Sequence, residues 1–231
     1  MGLYRPDLIL CVGHATLLGL PRRWWAIAEP DGELHQGSAG VEVRPGAARV
    51  AAGPIGIDLA LDEGVGVEVV SRHGRSYIWT RKQACVPARG WVRVGARTWE
   101  IAGDDAFIDD SAGYHARVTR WRWSAGIGRG AGGERVAWNL VDGVHDGPGA
   151  SERTVWVDGE PHEVQHQEFA ADLSRVGGLR FRAWSERAEH TNWFLLRSDY
   201  RQPFGSFAGE LPGGLVLRSG HGVMEWHDVR W

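Results

Sequence analysis

Ile55-Gly56-Ile57-Asp58-Leu59-Ala60-Leu61-Asp62-Glu63-Gly64-Val65-Gly66-Val67-Glu68-Val69 alternates with a period of two. Ile55, Ile57, Leu59 and Leu61 fall on one face. Asp62-Glu63-Gly64 then turns the chain, and Val65, Val67 and Val69 resume the alternation. A helix repeats about every 3.6 residues, so the pattern predicts strands on both sides of a turn. The same signal recurs at Trp24–Glu29, Val41–Arg44, Ser76–Gln83, Trp91–Val94, Thr98–Ile101 and Thr119–Ala125. It continues at Arg135–Val141, Thr154–Val157, Leu179–Trp184, Asn192–Leu196, Leu215–Arg218 and Val223–Trp231. Short strands spaced about 8–12 residues apart, with Gly, Pro and Asp between them, predict an all-β sandwich or barrel. The run Gly126–Gly133 reads as a hairpin loop.

The chain has 231 residues, 43% hydrophobic and 24% charged, with a net charge of −3, which suits one or two globular domains. No basic surface is expected for nucleic acid or an anionic membrane. Leu8–Leu20 is too short to span a bilayer, and His14 and Asp7 with no small-residue cleavage site argue against a leader. Cys11 and Cys85 define neither a disulfide framework nor a zinc site, so a cytoplasmic setting is expected. Two features stand out. There are 13 tryptophans, and among 26 basic residues Lys82 alone is a lysine. Where arginine is used everywhere else, that position is a candidate for a compact ammonium.

Several enzyme motifs fail on context. Gly126-Ile127-Gly128 precedes a strand, not the helix a pyrophosphate site needs, and no Gly-x-Ser-x-Gly elbow occurs. His162-Glu163-Val164-Gln165-His166 matches the zinc-hydrolase pattern, with Glu186 at a plausible distance for a third ligand. On a helix the two histidines would lie about 6 Å apart and share a metal. On a strand they lie about 13 Å apart and cannot. Asp158-Gly159 predicts a hairpin whose return strand runs from His162 to Phe169, so a zinc hydrolase ranks last among the readings.

The segment from Asp109 to Trp123 is the richest chemically. Read as a strand, it places His115, Arg117, Thr119, Trp121 and Trp123 on one face. Two aromatic walls with a titratable ring, a cation and a hydroxyl have the composition of a ligand pocket. Asp109 and Asp110 precede it at an expected turn, where a carboxylate could act as an acid with His115 orienting it. The segment reads equally as an ordinary strand with core tryptophans. Further pocket candidates are Glu152, Thr154 and Trp156, then Glu225, His227, Val229 and Trp231. Asn139, and Lys82 after Tyr77, Trp79 and Thr80, complete them.

Taken together, Asp109-x-Ser111-x-Gly113-Tyr114-x-x-Arg117-x-Thr119-x-Trp121-x-Trp123, Asn139-Leu140-Val141-x-Gly143, Ser151-Glu152-Arg153 and Trp156-Val157-Asp158-Gly159 resemble a bacterial family called domain of unknown function 2804. Thr80-Arg81-Lys82, Gln202-x-Phe204-Gly205-x-Phe207-x-Gly209 and Gly222-Val223-Met224-Glu225 fit it as well, so the resemblance covers roughly residues 76–231. More distantly the family is similar to lipocalin-type carotenoid hydratases and related cyclases. That similarity implies two β-domains around a hydrophobic substrate and no cofactor. The expectation is an all-β antiparallel protein of two lipocalin-like half-barrels, residues 1–103 and 104–231, or of one large, strongly curved sheet. Its pocket would hold an apolar or amphipathic small molecule, lined by Lys82, Tyr114, Arg117, Thr119, Trp121, Trp123, Asn139, Glu152, Trp156 and Glu225. Asp109 and His115 are the expected catalytic pair for hydration, cyclisation or isomerisation. A non-catalytic carrier is the alternative, and an interaction protein would instead display a flat patch of exposed aromatics.

Overall fold

The computed structural model describes every residue except Leu18, Pro148, Gly149, Phe194, Leu195 and Trp231; of Trp193 and Leu196 only the backbone is described. The first ten strands are β1 (Gly2–Tyr4), β2 (Ile9–Leu17), β3 (Leu20–Ala28), β4 (Leu34–Gly37), β5 (Val41–Arg44), β6 (Ala47–Ala52), β7 (Ile55–Leu61), β8 (Val67–His73), β9 (Ser76–Val94) and β10 (Arg97–Gly113). They form one antiparallel sheet in the order β4-β3-β2-β1-β10-β9-β7-β6-β5, with β8 also paired to β9. The next are β11 (Val118–Gly130), β12 (Arg135–Asp142), β13 (Asp146–Gly147), β14 (Ala150–Ser151), β15 (Thr154–Val157) and β16 (Glu160–Glu163). The last are β17 (Arg175–Val176), β18 (Leu179–Trp193), β19 (Leu196–Glu210) and β20 (Val216–Arg230). These build a second antiparallel sheet, β16-β15-β12-β11-β20-β19-β18-β17, beside the small β13–β14 hairpin.

Among the described residues, neither sheet closes into a barrel by hydrogen bonds. The first curls until β5 packs on β2 and β3, and it wraps a core of Leu10, Ile27, Ile57, Leu59, Val92 and Ile101. The second sheet holds Trp138, Leu140, Phe207, Leu217 and Met224. A third apolar layer lies where the two half-barrels meet, with Ile9, Cys11, Phe107, Trp123, Ile127, Trp156, Phe204 and Val223. Alternation along single strands explains the three layers. On β2, Leu10 and Val12 enter the first core, while Ile9 and Cys11 enter the layer between sheets. On β12, Val136, Trp138 and Leu140 face the second core, and Ala137 and Val141 face the other sheet. Strands buried on both faces lose polar alternation, so any polar residue facing the middle layer carries information.

Several local expectations change. The Asp62-Glu63-Gly64 turn does not join a hairpin. Instead β7 pairs the second half of β9, from Ile55↔Val94 to Leu61↔Ala88, and β8 pairs its first half, from Val67↔Lys82 to His73↔Ser76. Asp109 and Asp110 are not turn residues; they lie inside β10, opposite Lys82 and Arg81. Opposite charges across the ladder hold the aspartates in the strand. Gly103 lies within β10, beside a register shift, and the chain passes between sheets at residues 114–117. His115 and Arg117 are in that connection, so the shared face begins only at Thr119. Gly126–Gly130 are strand rather than loop. Gly126 sits opposite Trp138, whose ring occupies the space of a Cβ, at 2.1 Å. The expected return strand after Asp158-Gly159 stops at Glu163, and Leu8–Leu20 supplies β2 and the start of β3. Trp231, and part of Asn192–Leu196, lie outside the described residues.

Candidate functional site

The polar residues that face the middle layer converge. Asp109 follows Phe107 on the inner face of β10, and Lys82 stands opposite it on β9. The Lys82 ammonium hydrogen-bonds Asp109, lies 3.5 Å from Glu152 Oε2 and sits 5.7 Å from the centre of the Trp123 ring. Lys82 is 4% exposed and Glu152 2%, whereas the Asp109 side chain is 36% exposed. Solvent therefore reaches this ion cluster through Asp109. Burial alone would lower the Lys82 pKa, but the facing Asp109 and Glu152 carboxylates outweigh it and hold it above the ordinary lysine value. Burial raises Glu152, with Asp109 adding to the rise and Lys82 opposing it. The Oε2 atom of Glu152 accepts no hydrogen bond from any described group.

The tryptophans are wired into this cluster. Trp123 donates from Nε1 to Asn139 Oδ1 at 2.7 Å, and Asn139 donates to the Glu152 carbonyl at 2.9 Å. Trp121 donates to Glu225 Oε1 at 2.7 Å, while Tyr200 and Gln202 donate to Glu225 Oε2 at 2.9 and 3.1 Å. Glu225 lies opposite Trp123 in the β11–β20 ladder and is held above the ordinary carboxylate range, chiefly by burial, with the Trp121 and Tyr200 donors opposing. Tyr4 and Tyr200 are pushed up by burial, with Glu225 adding to the effect in both. Trp156 packs edge-on to Phe107 at 6.0 Å. The indoles that were expected to wall an open cavity thus fill the inter-sheet layer, with the Trp121 N–H bonded to a carboxylate and the Trp123 N–H to an amide oxygen.

Histidines border the cluster. His145 Nδ1 is 2.8 Å from Ser71 Oγ, and burial, then Lys82, pull its pKa down to about 4. His227 packs against Trp121 at 4.3 Å and Tyr200 at 5.1 Å, and burial lowers it to about 4. His73 packs against His115 at 5.6 Å and faces Thr119 Oγ1 at 3.3 Å. Desolvation lowers both of these rings. The partner that Asp109 finds is Lys82, on the neighbouring strand, while His115 lies toward solvent beside His73. Tyr114 and Arg117 are exposed in the same connection and stand apart from the cluster.

Two open grooves stand out among the described residues. One, of about 430 Å³, runs between β8 and the β14–β16 region and is lined by Val67, Val69, Ser151, Thr154, Pro161 and Glu163. It abuts the backbone that carries the cluster, since Val67 pairs with Lys82 and Ser151 precedes Glu152. The other, of about 410 Å³, lies on the outer face at Tyr77, Trp79, Ala112, Gly113 and Tyr114.

Glu160–Glu163 form β16, and His162 and His166 are exposed, so the helix required by the zinc-hydrolase motif is not formed. Among the described residues, Glu29, Glu33 and His35 bring three ligand atoms within 4.8 Å of one another, but Arg97 already bonds both carboxylates there. Tyr4, Tyr200, Gln202, Ser71 and His145 escape a sequence reading. Gln202 lies in a recognisable motif, and Tyr200 precedes it by one alternation, which is the signal that was available.

Similarity to known proteins fits this architecture. Residues 34–231 match the family model for domain of unknown function 2804. Kievitone hydratase from Nectria haematococca superposes with a TM-score of 0.60 at 11% identity, over 97% of this chain and 86% of that one. An AttH-type protein from Nitrosomonas europaea superposes with a TM-score of 0.50 at 10% identity, covering 97% and 90%. No curated protein matches in sequence. At such identities the structural likenesses speak for the fold, all-β and lipocalin-like in its half-barrels. The family match covers most of the chain, and the protein belongs to the domain of unknown function 2804 family.

Proposed function

We propose that the protein binds an apolar or amphipathic small molecule at the inter-sheet cluster and acts on it by acid–base chemistry of the hydratase, lyase or isomerase type. The observation that carries this is the solvent-accessible Asp109 carboxylate tied to the buried Lys82, with Glu152 and Glu225 behind it. Three carboxylates around one cation are more than an ion pair needs for stability, and perturbed titratable groups gathered at one place support a reactive site. The fold likeness to a hydratase supports the class of reaction and no particular substrate.

In a hydration, the Asp109 carboxylate takes a proton from water as the water oxygen bonds to one alkene carbon. The other alkene carbon receives a proton from the cluster, for which Glu225 is suited by its raised pKa. Lys82 balances negative charge as it develops, and the half-buried Trp121, whose Nε1 bonds Glu225, holds the proton donor in place. His115 serves at the rim. No helix among the described residues is long and apolar enough to cross a membrane. The free, buried Cys11 and Cys85 favour a reducing, cytoplasmic setting.

A carrier is the second reading, favoured by the solvent exposure of both Asp109 and His115. Incubation of the purified protein with a panel of enones and terpenoid alkenes in heavy-oxygen water separates the two. The catalytic reading predicts heavy-oxygen incorporation into at least one compound, or its conversion to an isomer or cyclised product. Saturable binding of a panel member with neither incorporation nor conversion would establish the carrier.

A further inference from the structure

The net charge of −3 is unevenly spread, and one end of the molecule is basic and apolar at once. The ladders define that end. Gly2 of β1 pairs with Cys11 on one side and with Phe107 on the other, so β2 and β10 run the same way from that level. Further along the same direction, β2 reaches Leu17, where the β2–β3 hairpin turns, and β10 reaches Gly113, where the connection at residues 114–117 begins. The β8–β9 hairpin turns beside them, since Gly113 pairs with Ile78 and a Cβ on Gly74 would lie 3.3 Å from that of Ala116. In the second sheet Val118 pairs with Arg230, and Arg230 with Arg197, so β11 begins and β20 ends there.

This end turns leucine toward solvent. Leu17 and Leu20 close the β2–β3 ladder and are 36% and 66% exposed, and Val118 is 49% exposed. Arginines stand around them. Arg23, Arg72, Arg75, Arg117 and Arg230 are exposed and form no ion pair among the described residues. The carboxylates at this end are already engaged, Asp199 by Arg197 and Asp228 by Arg120. Set further back, Asp110 is bonded by Arg81, Glu68 by Trp79 and Glu189 by Arg187.

We propose that this end is a docking surface for an anionic phospholipid bilayer, with the β2–β3 tip seated among the headgroups and the arginines bonded to their phosphates. Unpaired guanidinium groups select a surface rich in phosphate. Charge alone would suit a nucleic acid equally well. The leucines decide for the bilayer, because the boundary between headgroups and acyl chains takes them out of water and a nucleic-acid backbone does not. Arginine stems lie along that boundary while their heads stay with the phosphates. Asp109 lies a few residues before Gly113 on β10, so docking here brings the exposed edge of the inter-sheet cluster toward the membrane. The docking is independent of whether that cluster catalyses or carries.

Flotation of the full chain with vesicles of phosphatidylglycerol and phosphatidylcholine in equal parts, against phosphatidylcholine alone, tests the docking. Partition into the anionic vesicles is expected to be about tenfold stronger, and to weaken as salt is added. Leu20→Asp should lower it about tenfold, and so should Arg23→Glu combined with Arg117→Glu. All three side chains are exposed, so these variants should fold, which circular dichroism checks. Cys11 and Cys85 are buried, so a polarity-sensitive dye can be attached selectively at Leu20→Cys. Its emission should shift to the blue on anionic vesicles. The same dye at Val65→Cys, fully exposed before the opposite end of β8, should not respond. No partition, equal partition into both vesicles, undiminished partition of Leu20→Asp, or unchanged dye emission at Leu20→Cys would overturn the docking. Binding of duplex DNA that Leu20→Asp leaves intact, without vesicle binding, would overturn it in favour of a nucleic acid. None of these readouts uses turnover, so they stand or fall separately from the chemistry proposed for Asp109.

Discussion

Lys82 is the residue on which the inter-sheet layer depends. It is the only lysine in the chain, it is almost wholly buried, and it contacts Asp109, Glu152 and the Trp123 face at once. An ammonium is compact enough for that space, whereas a guanidinium is wider and planar. Removing one partner of a buried ion cluster leaves the others uncompensated. Lys82→Met should therefore destabilise the fold by about 3–5 kcal/mol, by the usual cost of a broken buried pair. The double variant Lys82→Met with Glu152→Gln should recover part of that loss. Urea unfolding of the three proteins checks this, and a single variant as stable as the parent would contradict it. Lys82, Asp109, Trp121, Trp123, Asn139, Glu152 and Glu225 were legible in the sequence because residue type and alternation marked them. The Asp109–Lys82 pairing was not, since no local pattern shows which strand lies beside β10. His115 drew attention through an alternation that the connection at residues 114–117 interrupts.

Strand length was the part of the fold least visible beforehand. Ser76–Gln83 and Trp91–Val94 read as two strands because Pro87 and Gly90 separate them, yet β9 continues through both. Cys85 absorbs the bend with a φ of 56°, and the ladder with β10 shifts register there rather than ending. Such a strand serves two neighbours in succession, β8 and then β7, and this carries Lys82 to the sheet interface. The β11 glycines were misread for a related reason. Glycine marks turns in sequence, but here it admits a large neighbour, the Trp138 ring over Gly126. Gly126→Val should force that ring out of its packing and destabilise the protein by about 1–3 kcal/mol, the usual cost of overpacking. Its Trp138 bond to Ser124 Oγ, 3.0 Å in the parent, should break as well. Near-ultraviolet circular dichroism with thermal unfolding measures both effects, and an unchanged melting temperature would contradict the close approach.

The whole molecule is two curled sheets clamped over a layer that mixes apolar side chains with charge. That layer makes stability depend on pH. His145 and His227 are held down to about 4, below the ordinary histidine value of 6.5. Between those values the unfolded chain binds protons that the native state refuses, so stability is full above about pH 6.5 and falls as pH drops toward 4. His145→Asn, which suits the positive φ of 47° at that position, should flatten the slope. Urea midpoints from pH 7 to pH 4.5 would show it, and identical slopes would contradict the buried neutral ring. The all-β class was visible from alternation and the half-barrels were implied by the family resemblance, but the filling of the middle layer by tryptophan was not visible, because a core indole and a pocket indole have the same sequence signature. The most direct test of a reactive inter-sheet cluster is heavy-oxygen incorporation by the parent, Asp109→Asn and His115→Gln on the same alkene. The parent should turn over, Asp109→Asn should lose at least about 100-fold, as loss of a general acid–base group does, and His115→Gln should retain activity within a few-fold. Turnover by Asp109→Asn at the parental rate would contradict the account.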